Sequence, residues 1–214
     1  TGNWSETEVN KLIESVQYYN SADNLESDDR TITLTSVTGS EGGINNALTL
    51  ASTVSITAVN DEPTLVSTPI NGGSLNYIEN KVAINLFEST DILTIETTQE
   101  VQELTLTVAN LADGDDEKLT VDGEEFALIN GANGTTVNAV GYNVAVLGMT
   151  ATVTIIGPWS PSDANALVNN IKYRNSADDP TVTNRREITI TAVKDDGGTD
   201  HGGDDLNNTL SFMS

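Results

Sequence analysis

The sequence predicts an all-β fold made of antiparallel β-sandwich repeats, each carrying one short amphipathic helix. Three observations lead there. Segments 31–37, 53–59, 104–108, 150–156 and 187–193 alternate Thr or Ser with Val, Ile or Leu, the period of two expected of half-buried strands. Clusters of Asp, Asn and Gly separate the strands at 113–116, 130–134 and 195–205, where chains turn. Finally, the chain repeats itself. WSETEVNKLIESVQYYNSAD from Trp4 matches WSPSDANALVNNIKYRNSAD from Trp159, at an offset of 155 residues (159 less 4). Trp4, Leu12, Tyr18 and Asn20-Ser21-Ala22-Asp23 thus face Trp159, Leu167, Tyr173 and Asn175-Ser176-Ala177-Asp178. The match runs on through TITLTSV (31–37) and EITITAV (187–193), the Gly pairs at 42–43 and 197–198, and Asn45-Asn46 against Asn207-Asn208. Such a period marks a repeat architecture.

The elements follow in order. Ser5-Glu6-Thr7-Glu8 is a capping box, and Ser160 is an N-cap followed by Pro161 at the first helical position. Apolar residues then recur at Val9, Leu12, Ile13 and Val16, and at Ala164, Leu167, Val168 and Ile171. That spacing predicts a short helix in each copy, packed by one face on a core. Beyond the five clear strands, weaker ones are expected near 82–86, 92–96, 125–129, 142–147 and 208–213. Many short strands with turns between them favour a sandwich of the immunoglobulin or cadherin type, elaborated here by the helix. The register divides the chain into 1–59, the C-terminal part of one repeat; 60–65, a linker; and 66–214, a nearly complete second repeat lacking its last strand. Limits in mid-repeat suggest either a window on a longer array or units that complete each other between chains.

Composition narrows the function. The 214 residues carry 32 Asp plus Glu against 9 Lys plus Arg, a formal charge of -23. That field repels nucleic acid and anionic membrane. With no cysteine, thiol nucleophiles, disulfides and zinc–thiolate sites are excluded, and one histidine, His201, cannot build a His-based metal centre or a Ser/His/Asp triad. No phosphate-binding Gly loop follows a strand. With so many acids, any two could be nominated as a glycosidase pair, so that signal carries no weight. The reading is non-enzymatic, with no membrane insertion.

Three stretches resemble a known family. NYIENKVAINLFES (76–89), LTLTVANLADGDDEKLTVDG (104–123) and YRNSADDPT…REITITAVKDDGGTDHGGDD (173–205) are similar to tandem repeats of giant bacterial surface adhesins, the RTX-type and cadherin-like proteins. AVNDEPTL (58–65) resembles the phrase that joins their units. The resemblance covers nearly the whole chain and is loosest at 124–150. It implies extracellular β-sandwich repeats at the bacterial cell surface, rigidified by calcium, that extend an adhesive tip or build biofilm. The first copy departs from the pattern: Ser40-Glu41 stand where the second has Asp195-Asp196, and it lacks the TDHGGDD loop. Calcium is therefore expected chiefly in the second copy.

Calcium takes six to eight oxygens from Asp, Glu, Asn and backbone carbonyls, and four clusters offer them. The first is Asn60, Asp61 and Glu62 at the linker, with Glu79 as a partner from the following unit. The second is Asp195, Asp196, Asp200, Asp204 and Asp205, interleaved with Gly pairs that let a loop wrap an ion. The third is Asp113, Asp115, Asp116 and Glu117. The fourth is Asp23 and Asp178-Asp179, after the repeated NSA. Any of these could be a solvated turn, but packing so many carboxylates costs self-repulsion that divalent cations relieve. None fits the twelve-residue EF-hand pattern. Trp4 and Trp159, each just before a helix cap, read as packing residues more than as sugar platforms, and Arg30, Arg185 and Arg186 as partners for local acids.

Three roles follow. The leading one is a calcium-stiffened extender module contacting neighbouring repeats. The others are a subunit of an extracellular filament or sheath completed by strand exchange, a homo-polymer, and a sugar- or peptide-binding adhesin module.

Overall fold

The computed structural model describes residues 4–39, 46–79 and 81–214. The chain divides between Ala58 and Val59 into two units.

Unit 1 has three elements, α1 (Glu6–Glu14), β1 (Arg30–Val37) and β2 (Asn46–Val54). The expected capping box forms: the Ser5 side chain accepts from Glu8 N, and the Glu8 carboxylate accepts from Ser5 N at 2.8 Å. These bonds hold the Glu8 carboxyl below its usual range. β1 and β2 pair antiparallel, with Arg30 opposite Val54 and Val37 opposite Asn46. The second strand thus covers 46–54, not the expected 53–59, because β1 offers a ladder only as far as its own first residue. Ser40, Glu41, Gly42, Gly43 and Asn45 lie outside the described residues. No side chain of α1 is buried, in contrast to the core-packed helix its apolar spacing predicts.

Unit 2 contains β3 (Thr64–Pro69), β4 (Ile84–Asn85), β5 (Phe87–Leu93), β6 (Val101–Ala109), β7 (Glu117–Val121), β8 (Glu124–Ala127), β9 (Asn133–Thr135), β10 (Gly141–Leu147), β11 (Thr150–Trp159), α2 (Pro161–Asn169), β12 (Lys172–Asn175), β13 (Glu187–Asp195), β14 (Leu206–Asn207) and β15 (Phe212–Met213). All pairings are antiparallel. A large sheet runs β14-β13-β6-β11-β10-β9, with β15 also on β13; a smaller one runs β4-β12-β7-β8; β3 and β5 form a ribbon. The fold is all-β with two helices, as expected. Within the expected linker 60–65, Asn60 and Pro63 are hydrogen-bonded to unit 2, and Thr64 opens β3.

One core unites these sheets. Leu104, Leu106 and Val108 of β6 and Val153 and Ile155 of β11 share it with Leu119 and Val121 of β7 and with Ala164, Leu167 and Val168 of α2. Residues 150–155 of β11 alternate half-buried and fully buried positions, as a strand with one face on a core must. Helix α2 grips the ribbon with polar groups as well: Asn165 Oδ1 accepts from Ile92 N (2.8 Å) and Asn169 Oδ1 from Thr90 N (3.1 Å). The two copies share a register. Thr33 faces Ala51 and Leu34 faces Leu50 in unit 1, as Thr189 faces Met213 and Ile190 faces Phe212 in unit 2.

Candidate metal centre

The pairing of β13 with β6 sets Asp195 opposite Val101, so the turn before β6 and the loop after β13 meet at one end of unit 2. They clamp each other: Asp196 N donates to Glu100 O (3.1 Å), and Glu100 N donates to Asp196 Oδ1 (2.9 Å). Asn60 is seated between them. Its Nδ2 donates to Asp195 Oδ1 (3.1 Å) and to Asp204 O (2.7 Å), and its Oδ1 accepts from Gln99 Nε2 (2.6 Å). Its carbonyl accepts from Asp204 N (3.0 Å).

The Gly pairs of the loop make this approach possible. A Cβ at Gly197 would collide with Asn60 Oδ1 and Gln99 Nε2, and one at Gly203 would lie 3.0 Å from Asn60 N. Their inner partners, Gly198 and Gly202, take positive φ of 76° and 89°, which glycine adopts without a Cβ penalty.

Several oxygens around this knot have no donor. Asp195 is 0% exposed, and its Oδ2 has no hydrogen-bond partner. Both carboxylate oxygens of Glu96 and Oε1 of Gln99 are likewise buried and unpartnered. Burial pushes the Asp195 carboxyl above its ordinary value; bonds from Gly197 N and Asn60 oppose that shift, and the charges of Asp205 and Glu96 add to it. Asp205 shares its charge with Lys194 Nζ at 3.4 Å. A buried carboxylate oxygen without a donor costs free energy, and an oxygen-only set of acceptors suits a hard cation. Among the described residues, no three such side chains already converge as a closed metal cage. Residues that would hold an ion here are Asp195, Glu96 and Gln99, with Asp205 near at hand.

The remaining expected ligands are scattered. Asp61, Glu62 and Asp200 are exposed, and no described bond ties Glu79 to residues 60–62. Asp204 uses Oδ1 to accept from Leu206 N (3.1 Å), as an Asx turn does. His201 is exposed and stands in the turn at φ 57°. Asp23, Asp178 and Asp179 are exposed.

The third cluster has a different use. Asp113 accepts from Asn175 Nδ2 (2.6 Å), Thr181 N (3.0 Å) and Arg186 Nη2 (3.0 Å). Fully buried Glu117 accepts from Ala112 N, Asp113 N, the Tyr173 hydroxyl (2.9 Å) and Arg186 Nε (2.7 Å). Burial alone would raise the Asp113 carboxyl, but the Thr181 and Asn175 bonds and the Arg186 charge outweigh it, and the pKa is lowered. Tyr173 is raised, first by burial and then by the Glu117 charge. Asp116 Oδ1 accepts from Ser176 Oγ (2.7 Å), and Asp115 is exposed. Protein donors therefore satisfy Asp113 and Glu117, and the expected partnership of Arg186 with local acids is this buried network.

Sequence reasoning missed Glu96 and Gln99. The only signal for them is indirect: pairing the strands that contain Val101 and Asp195 brings residues 96–100 beside the acidic loop. Protein-family models, curated proteins and solved structures yield no match to the chain. Among the described residues, no helix is long and apolar enough to cross a membrane.

Proposed function

We propose that this chain is a non-catalytic extender module of a secreted bacterial surface adhesin, stiffened by calcium where its linker meets an acidic loop. The fold of unit 2 is then a cadherin- or immunoglobulin-like sandwich variant. The observation that carries the reading is Asn60, a linker residue, held in a knot whose buried acceptors, Asp195 Oδ2 and the Glu96 carboxylate, lack donors. An ion bound there would reinforce the bonds that already tie Asn60 and Pro63 to unit 2. Sequence resemblance supplies the adhesin context. The net charge of -23 favours cations generally and deters nucleic acid.

The magnitudes fit an extracellular setting. Extracellular calcium modules bind at about 10⁻⁴–10⁻³ M. With millimolar free calcium and a Kd of about 10⁻⁴ M, one site stabilises by about 1.4 kcal/mol. That is a sizeable share of a domain stability of about 5–15 kcal/mol. Calorimetry in EDTA and across a calcium titration, with light scattering on the same samples, tests the reading. A rise in Tm at constant monomer mass is expected. A calcium-dependent rise in mass would favour the filament subunit instead, and no change in either would remove calcium from the account.

A further inference from the structure

Unit 1 contains the side chains that unit 2 uses to grip its own front half, yet in unit 1 they grip nothing of the kind. In unit 2 the tail, from α2 to Arg186 just before β13, holds residues 64–157 through several polar contacts, four of which use side chains that recur in unit 1, while Asn169, which accepts from Thr90 N, has Glu14 at its matching place. Asn165 accepts from Ile92 N, Tyr173 donates to Glu117, Asn175 donates to Asp113, and Arg186 bridges Asp113 and Glu117. The matching residues of unit 1 are Asn10, Tyr18, Asn20 and Arg30. Their described contacts are local: Asn20 Nδ2 reaches the Tyr18 hydroxyl at 3.4 Å, and Arg30 reaches Asp28, an acid 71% exposed, at 3.1 Å. The apolar face matches too. Leu12 and Val16 are 51% and 62% exposed, where Leu167 and Ile171 are buried.

Local forces alone leave both the α1 helix and the β1–β2 hairpin marginal. A helix of nine residues is marginal in water, and so is an isolated two-stranded hairpin. Apolar side chains left exposed at the spacing of one helix face mark an interaction surface.

We infer that unit 1 is a docking surface for a half-sandwich of the chemistry of residues 64–157, separate from the one in this chain. Its occupant offers a strand edge with a free N–H for Asn10, as Ile92 does for Asn165. It also offers a buried acid pair for Arg30, Asn20 and Tyr18, as Asp113 and Glu117 do for Arg186, Asn175 and Tyr173. The front half of this chain is not available, because α2 and β12 already fill it. For the same reason a second copy of the chain would fit only by exchanging its own tail. This inference stands apart from calcium.

The test places a further copy of residues 60–157 ahead of Trp4 in the full chain and follows amide hydrogen exchange. In the unextended chain, α1 amides are expected to exchange fast at constant monomer mass. In the extended chain, amides of residues 9–16 should slow by about 100-fold or more, and the added strands should be protected like β6 and β11. Leu12→Asp in the extended chain should return α1 to fast exchange while α2 stays protected. Unchanged α1 exchange, an added half that fails to fold against unit 1, or protection that survives Leu12→Asp would each overturn the inference. So would an unextended chain whose α1 becomes protected as it dimerises, which would make a second copy the occupant.

Discussion

Helices α1 and α2 begin with the same chemistry and end in different surroundings. Both start at a Ser whose side chain accepts from the third residue of the helix, Glu8 in one and Asp163 in the other. Both are followed by the same Asx turn: Asn20 Oδ1 accepts from Ala22 N at 3.0 Å, and Asn175 Oδ1 from Ala177 N at 3.0 Å. The Ser cap and the Asx turn are reproduced, although only α1 adds the return bond from Ser5 N to the Glu8 carboxylate. Everything that needs a partner from far along the chain differs. Leu167 is buried and Leu12 is exposed; Tyr173 forms part of strand β12, while Tyr18 lies outside any element. Local structure is therefore written in the twenty-residue phrase, and burial is written in residues 64–157.

The largest consequence falls on the two arginines. Arg186 is 10% exposed at its side chain and bridges a fully buried Glu117. Removing one partner of such a network leaves an uncompensated charge, at about 3–5 kcal/mol. Arg30 pairs with an acid in open solvent, and exposed pairs contribute about 0–1 kcal/mol. Urea denaturation of Arg186→Met and Arg30→Met should therefore show a large shift in unit 2 and almost none in unit 1. Equal effects would mean the arginines share one environment. The lowered pKa of Asp113 adds a pH signature. Its contribution is full above the ordinary carboxyl value of 3.8 and is lost as pH falls through the depressed folded value. Arg186→Met should weaken that acid limb only in part, because the bonds from Thr181 and Asn175 lower Asp113 ahead of the Arg186 charge.

The apolar pair comes next. Leu167→Ala removes packing from the core at about 2–5 kcal/mol, whereas Leu12→Ala trims a side chain 51% exposed and should stay within about 0.5 kcal/mol. Spectroscopic melts of the two variants check this. A costly Leu12→Ala in the unextended chain would mean the face is already covered.

These contrasts show how far the sequence could be read. The caps, the helix positions, β6, β10, β11 and β13 were legible because their causes are local: a Ser before an amphipathic stripe, or an alternation of Thr with Val, Ile and Leu. β7 was not, since EKLTV carries Glu117, a buried acid that a hydrophobic pattern reads as solvent-facing. Its burial depends on Arg186 and Tyr173, more than fifty residues on. The candidate site was half legible. Asn60 stood out as a linker amide and Asp195 as a loop acid, but Glu96 and Gln99 join them only through the register of β6 on β13. Asp61, Glu62 and Glu79 had the right composition and remain apart from the knot.

A smaller effect separates the knot from an ordinary acidic turn. Asp195→Asn keeps an oxygen to accept from Asn60 and Gly197 but removes the buried charge. In EDTA the folded wild type holds its Asp195 proton more tightly than the unfolded chain does, because the folded pKa is raised. Its ion-free stability therefore falls as pH rises from 3.8 through the raised folded value. Asp195→Asn should abolish that fall, melt at or above wild type in EDTA at pH 7, and lose the calcium-dependent gain of about 1.4 kcal/mol. A variant that still responds fully to calcium would place the ion elsewhere.

The smallest expected effect tests the comparison at its root. Ser5→Ala and Ser160→Ala each delete one cap, typically about 1 kcal/mol. If the caps are truly local, both helices should lose similar free energy of formation, read as amide exchange in their first turns. The global consequences should diverge: the Ser160→Ala loss passes into the melting of unit 2, because α2 is fastened to β5 through Asn165 and Asn169. The Ser5→Ala loss should stay in α1. A change in the unfolding of β1 and β2 on Ser5→Ala would show that α1 is coupled to the hairpin without a covering half-sandwich, and unit 1 would then have its own route to stability.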